Sequence, residues 1–319
     1  MSDKKSVVIA RVLLPAGREL LDAGFDVAEG GLDSDREALL ELVPGAAAIV
    51  ADPTVPIDDG VLDAAGDQLE AVANFAVGYD NIDVIACRKR GVTVTNTPDV
   101  LTNATAELAA GLTYAAARGI TASEARMRAG EWRGWDPGAH LGLELSGATI
   151  GIVGMGRIGR RYAELMSGLG GDFLYTSRER KEEVEVKLGA RRVDLDQLLR
   201  QSDVVSLHLP ATPETTHLID ASALALMKPT AILINTGRGP VVDSEALAAA
   251  LETGQIAGAG LDVYEGEPNV PQRLLDAPNT ALTPHIGSAT TRARDDMASL
   301  VARNVIAVLA GEEPLTPVA

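Results

Sequence analysis

The sequence predicts an α/β protein built from two doubly wound parallel sheets. Three observations carry this. The chain has 319 residues, more than one ordinary hydrophobic core accommodates. Short apolar runs alternate with helical stretches up to residue 98, and a second alternating series begins at residue 148. Between the two lies a long helical segment with its own rhythm.

In the first series, residues 7–14, 47–51, 69–75 and 92–95 read as buried strands. Residues 36–43, 60–65 and 84–90 read as the helices between them. From Leu101 onward, Ala104, Leu108, Leu112 and Ala115 recur three or four positions apart, which marks one helical face. The stretch 131–140, with Trp132 and Trp135, breaks that periodicity. Strands are then expected at 148–153, 172–176, 204–207, 231–235, 256–261 and 280–283. Asp243 stands where a helix N-cap belongs, and Gly254 where a C-terminal glycine belongs. Residues 290–310 read as one last long helix.

Composition narrows the function classes. With 46% hydrophobic and 23% charged residues the chain suits a globular fold and not a disordered one. Its apolar runs, such as Ala231-Ile232-Leu233-Ile234, fall far short of the roughly 18 residues of a membrane span. The polar start at residues 1–5 leads into an apolar stretch followed by Pro15 and Gly17, which reads as a first strand and not a secretory signal. A lone cysteine, Cys87, rules out an internal disulfide framework and fits a reducing compartment, so a cytoplasmic protein is expected. A net charge of −17 argues against nucleic acid as a partner. It leaves room for a small anion, because a few arginines in a cleft dominate at short range. No metal is expected.

Gly154-Met155-Gly156-Arg157-Ile158-Gly159 follows the strand at 148–153 and opens a helix. Here the first glycine serves a tight turn, the second the approach of a pyrophosphate, and the third close helix–strand packing. The helix start offers unpaired N–H groups and a positive dipole to phosphate. This context makes a dinucleotide site the expected reading. An NAD site would carry an acid at the tip of the next strand. Phe173-Leu174-Tyr175-Thr176 instead ends in Ser177-Arg178, a hydroxyl and a guanidinium suited to a 2′-phosphate. NADP is therefore the expected cofactor, with NAD possible. Two other readings stay open: Arg178, Arg180 and Lys181 as a solvated charged loop, and Glu179 bending back as the missing acid.

Of the four histidines, His285 stands out. It follows Thr283-Pro284 at a strand end and precedes Ile286-Gly287-Ser288, where open α/β sheets bind ligands. Arg238 lies between glycines just past another strand, and Asp262, Glu265 and Glu267 follow a third.

Taken together, these motifs resemble the D-isomer-specific 2-hydroxyacid dehydrogenases, and within them the glyoxylate/hydroxypyruvate reductases. The resemblance rests on residues 77–83, 101–108, the glycine loop, 235–243, 260–268 and 284–290. It implies a flavodoxin-like substrate domain from residues 1–98 and 288–319, and a Rossmann dinucleotide-binding domain from 99–287, with catalysis in the cleft between. It also implies a catalytic trio of Arg238, Glu267 and His285. Arg238 can grip a substrate carboxylate with its planar fork. His285 would give a proton to the carbonyl oxygen as hydride arrives, and Glu267 would orient the imidazole and keep that proton available. The resemblance adds the amides of Val77 and Gly78 at the substrate carboxylate, with Thr105, Asp262 and the Gly287-Ser288 backbone at the nicotinamide, and Thr236 as a further cofactor contact. Leu209-Pro210 would form an apolar wall, and His217 just beyond it reads more readily as structural. A homodimer is implied, with the arm carrying Trp132 and Trp135 against the second subunit, although both tryptophans also suit an ordinary core. The expected reaction is hydride transfer from NADPH to glyoxylate or hydroxypyruvate. The alternatives are an NAD-dependent dehydrogenase of another acid, such as 3-phosphoglycerate or D-lactate, and a dinucleotide-sensing protein like the co-repressors that share this fold.

Overall fold

The computed structural model describes residues 4–318. The chain divides into two compact units after Leu101 and again after Gly287. In the first unit β1 (Ser6–Ile9), α1 (Pro15–Asp22), β2 (Asp26–Glu29), α2 (Arg36–Leu42), β3 (Ala48–Ala51), α3 (Asp59–Ala65), β4 (Ala71–Asn74), α4 (Val84–Lys89) and β5 (Thr93–Thr95) alternate. The second unit opens with α5 (Thr102–Ala117) and α6 (Ile120–Arg128). It continues through β6 (Ile150–Val153), α7 (Arg157–Met166), β7 (Phe173–Thr176), α8 (Glu182–Leu188), β8 (Arg191–Arg192), α9 (Leu195–Gln201) and β9 (Val204–Leu207). It closes with α10 (Ala221–Leu226), β10 (Ile232–Asn235), α11 (Ser244–Glu252), β11 (Gly258–Leu261), α12 (Gln272–Leu275) and β12 (Thr280–Leu282). The last helix, α13 (Thr291–Leu309), belongs to the first unit.

Both sheets are wholly parallel. The first runs β2-β1-β3-β4-β5, the flavodoxin-like order, and the second β12-β11-β10-β9-β6-β7-β8. In the second sheet the chain moves outward from β6 and returns on its other side at β9, so the switch point lies between those two strands. Both faces of the sheet are covered. Leu233 joins one apolar cluster with Leu207 and Leu261, while Ile232 and Ile234 join another with Tyr162 and Met166. Full burial of such side chains contributes about 1.5–3 kcal/mol each.

Six helices, α2, α3, α4, α9, α10 and α11, begin at an aspartate whose carboxylate accepts from a first-turn N–H. Each such cap contributes about 1 kcal/mol. Asp243 is among them, accepting from Ala246, and Gly254 follows the helix end with φ +68°.

The apolar run at 7–14 forms a strand only as far as Ile9, because β2 and β3 pair with it no further. Among the elements the hydrophobic pattern does not announce are α1 and β2. β2 is an edge strand, Asp-Val-Ala-Glu, with no buried residue and hence no apolar run. α1 hides its packing surface behind a glycine. A Cβ at Gly17 would drive into the carbonyl of Ala298 on α13, so the two helices meet backbone to backbone there. Gly17→Ala should therefore destabilise the first unit by about 1–3 kcal/mol, as overpacking does. Urea denaturation reads this directly, and an unchanged midpoint would mean that α1 can move away at no cost.

Candidate active site

The second sheet ends in a row of polar loops, and each is tied down by side chains. At the switch point Gly154 takes φ +97°, and a Cβ there would stand 2.5 Å from the carbonyl oxygen of His208. A Cβ at Gly159 would run into the carbonyl of Gly154, which is the tight helix–strand contact expected of the third glycine. At Gly156 nothing lies within 4 Å of such a Cβ, so the loop is open on that side. Met155 is buried and Ile158 packs against the core, which leaves the backbone and the exposed Arg157 as the polar surface of the loop. The first hydrogen bond of α7 in this loop runs from Arg160 N to Gly156 O at 2.9 Å, so the amides before it have no helical acceptor. An open cradle at a helix start fits a dinucleotide pyrophosphate.

Beside it, His208 packs its ring on Tyr162 with centroids 5.1 Å apart and meets Ser206 Oγ through Nε2 at 2.8 Å. Burial pushes the imidazole down to about 3. Leu209 and Pro210 follow, with Thr215 Oγ1 donating to Pro210 O at 2.8 Å. Thr236, past β10, has a buried hydroxyl without a protein partner among the described residues.

Asn235 at the end of β10 is fully buried and holds the next turn from both sides. Its Nδ2 donates to Arg238 O at 3.0 Å, and its Oδ1 accepts from Gly237 N at 3.0 Å. Arg238 Nη1 donates to Gly237 O at 3.0 Å.

The ends of β11 and β12 are joined by Asp262, which is 1% exposed. Its Oδ1 accepts from Thr283 Oγ1 and Ile286 N, and its Oδ2 from Gly287 N, each at 2.7 Å. Burial pushes this carboxyl up, while those three donors and the nearby His285 pull it back in part. Thr105 on α5 lies against the same point, since a Cβ on Gly287 would stand 3.4 Å from the Thr105 methyl. The turn so held carries His285 in a left-handed conformation, φ +52°, with its N–H donating to Asp262 O at 2.9 Å. A histidine in that region persists where the surroundings over-determine it.

His285 Nδ1 lies 2.7 Å from Glu267 Oε2. The other oxygen, Oε1, accepts from Tyr264 N at 2.7 Å, and the Tyr264 hydroxyl reaches the carbonyls of Thr283 and Leu261 at 2.9 and 3.1 Å. Burial raises the Glu267 carboxyl, but the imidazole, the Tyr264 amide and the charge of Arg238 outweigh it and hold the group below the usual carboxylate range. Glu267 is thus a fixed anion that orients His285, whose Nε2 has no hydrogen-bond partner among the described residues. The remaining histidines are elsewhere engaged: His217 pairs with Glu265 at 2.8 Å on the surface, and His140 sits near Ser123.

Val77 and Gly78 follow β4 in the first unit. Asn96 Nδ2 donates to Val77 O at 2.7 Å and Asn74 Nδ2 to Gly78 O at 2.6 Å. Among the described residues no acceptor meets the amides of Val77 or Gly78. Ser288 is the first residue of the segment returning to that unit. At the β7 tip, Ser177 Oγ donates to the carbonyl of Glu179, whose side chain is exposed and paired with Lys181 at 2.9 Å. Sequence reasoning missed Asn235, Tyr264 and the clamping role of Asp262. An asparagine ending a strand before Gly is a turn signal that reveals the first; no local pattern reveals the others.

A parallel sheet of this order, with a glycine loop at its switch point, defines a dinucleotide-binding enzyme fold. Residues 110–287 match the D-isomer specific 2-hydroxyacid dehydrogenase, NAD binding domain. The chain is 50% identical to the glyoxylate reductase of Thermococcus onnurineus over 98% of its length and 95% of that protein. Among solved structures it is similar to a glyoxylate reductase from Paecilomyes thermophila (35% identity, TM-score 0.88, covering 100% of this chain and 99% of that one). Another is the NADPH-dependent glyoxylate/hydroxypyruvate reductase of Sinorhizobium meliloti in complex with NADP and malonate (36%, 0.88, 99% and 97%). The chain belongs to the D-isomer specific 2-hydroxyacid dehydrogenase family and is an NAD(P)-dependent dehydrogenase. No helix among the described residues is long and apolar enough to cross a membrane.

His208, half-buried with its Nδ1 enclosed, gives a pH test. An unfolded chain takes up a proton at this imidazole below about pH 6.5, whereas the folded one does so only near 3. The unfolded state therefore binds more protons in that window, and stability falls as pH falls, by up to about 1.4 kcal/mol per pH unit. The stability difference between the wild type and His208→Gln should shrink from pH 7 to pH 4.5 in denaturant titrations. A difference independent of pH would contradict a neutral, enclosed His208.

Proposed function

We propose that this protein reduces glyoxylate, and likewise hydroxypyruvate, to the corresponding 2-hydroxy acid with NADPH. The observation that carries the chemistry is the Glu267–His285 pair, 2.7 Å apart at the ends of neighbouring strands. Glyoxylate reductases as relatives at about half identity over nearly the whole chain support the substrate.

When bound, the dinucleotide supplies the hydride. The Arg238 guanidinium grips the substrate carboxylate and polarises the adjacent carbonyl. The amides of Val77 and Gly78 are further donors to that carboxylate. His285 gives its Nε2 proton to the carbonyl oxygen as hydride reaches the carbon, so the C=O becomes CH–OH and the imidazole is left neutral. Glu267 keeps the imidazole oriented through Nδ1. Gly154–Gly159 hold the pyrophosphate, and Ser177 and Arg178 the adenosine 2′-phosphate. Thr105, Leu209, Pro210, Thr236, Asp262, Gly287 and Ser288 line the nicotinamide end, with Asp262 acting mainly through the backbone it binds.

NADPH and NADH oxidation should be followed separately with glyoxylate, hydroxypyruvate, pyruvate and phosphohydroxypyruvate. Fast oxidation of NADPH with either of the first two is expected. Activity with NADH alone would remove the cofactor assignment, and silence with every acid the substrate class. His285→Ala should lose about 10²–10⁴ in turnover while still binding cofactor; near-normal turnover across neutral pH would take His285 out of the mechanism.

We further infer a homodimer formed through the arm around Trp132 and Trp135, which are 62% and 85% exposed and so not core residues. Sedimentation should give twice the chain mass of 33.2 kDa, and Trp132→Ser with Trp135→Ser should shift it toward one. A monomeric wild type would refute the interface. The single buried Cys87 is consistent with a cytoplasmic location, which cell fractionation checks.

A further inference from the structure

The loop after β7 contains more charge than its role at a 2′-phosphate requires, and most of it is already neutralised. Arg180 pairs with Glu185 at 2.7 Å and Lys181 with Glu179 at 2.9 Å. Tyr175 fixes the far side, accepting from Lys181 N at 2.8 Å and donating to Glu185 Oε1 at 2.7 Å. The loop is thereby closed on itself, and its two acids are held ionised by their own cations. In and beside this loop three guanidiniums are left without a carboxylate at ion-pair distance among the described residues: Arg178, and Arg191 and Arg192 on the neighbouring strand β8.

Arg192 lies opposite Tyr175 in the sheet register. Its Nη2 donates to Ser177 O at 2.9 Å and to Arg178 O at 3.1 Å. A single guanidinium nitrogen thus anchors the turn whose hydroxyl and guanidinium are assigned to the phosphate. Nη1 and Nε keep their hydrogens available, on an exposed side chain at the carboxyl end of the sheet. Arg191, one residue earlier, projects from the other face of the strand.

We propose that Arg192 is the second cation of the adenosine 2′-phosphate site, acting as a specificity-determining residue that both positions the Ser177–Arg178 turn and donates to the phosphate. This rests on the NADPH assignment above. A phosphate monoester carries nearly two negative charges near neutrality, which one guanidinium balances only in part. A second guanidinium approached along a fixed turn adds charge-assisted donors without a new ordering cost.

The probes are 2′,5′-ADP and 5′-AMP, titrated calorimetrically into the full chain, so that the reading does not depend on turnover. Wild type should bind 2′,5′-ADP at least tenfold more tightly than 5′-AMP. Arg192→Ala should weaken 2′,5′-ADP about tenfold and leave 5′-AMP within twofold, and Arg178→Ala should do the same. Arg192→Gln, which keeps an amide donor for the two carbonyls but no charge, should lose most of the same discrimination. If Arg192→Ala and Arg192→Gln weaken both ligands equally, or neither, Arg192 is at most a strut for the turn and the proposal falls while the NADPH reading stands. If wild type itself does not distinguish the two ligands, the NADPH reading falls and takes this one with it.

Discussion

The geometry at the end of the second sheet depends on one buried carboxylate. Asp262 sits where water cannot reach it, and an unpaired charge there would cost several kcal/mol. The chain meets that demand by folding the segment after β12 around it, so that two amides and a hydroxyl point inward. The same wrapping forces His285 into a left-handed backbone and turns its ring toward Glu267. Desolvation is thus converted into orientation. The imidazole is positioned not by contacts of its own ring alone but also by a carboxylate that holds the turn carrying it.

Glu267 repeats the logic on a smaller scale. It follows β11 in the same loop as Asp262 and Tyr264, and its two oxygens are divided between a backbone amide and the imidazole. The amide fixes the carboxylate; the carboxylate fixes the ring. Tyr264 closes the circuit by bridging the ends of β11 and β12 through carbonyls of both. Two adjacent parallel strands therefore present carboxylate and imidazole as one hydrogen-bonded assembly, fixed by the chain itself.

How much of this was legible follows from how local each cause is. The glycine loop, the Asp243 cap and six of the seven strands of the second sheet are written in contiguous residues, where backbone demands leave a mark on residue type; β8, two exposed arginines, is not. The two-sheet α/β class likewise follows from alternation that repeats along the chain. The clamp from Asp262 to Ile286 and Gly287 spans more than twenty residues, and it uses backbone amides that any residue supplies. No pattern records it. Helix α1 was hidden for the opposite reason: its tight packing on α13 needs the absence of a side chain at Gly17. β2 was hidden because an edge strand needs no apolar face.

The excess of negative charge, −17 over the chain, looks at first hostile to an enzyme of anionic ligands. Much of it is spent locally, on helix caps and on ion pairs with arginine. A capping aspartate donates its charge to the amides at a helix start and projects little field beyond a Debye length. What a ligand meets is set instead by the few groups at the carboxyl edge of the sheet. There the glycine loop offers amides, Arg178 and Arg192 have no carboxylate at ion-pair distance among the described residues, and Asp262 and Glu267 have their oxygens turned toward the protein's own donors. Net charge governs the far field, whereas a ligand at the sheet edge meets these local groups at short range.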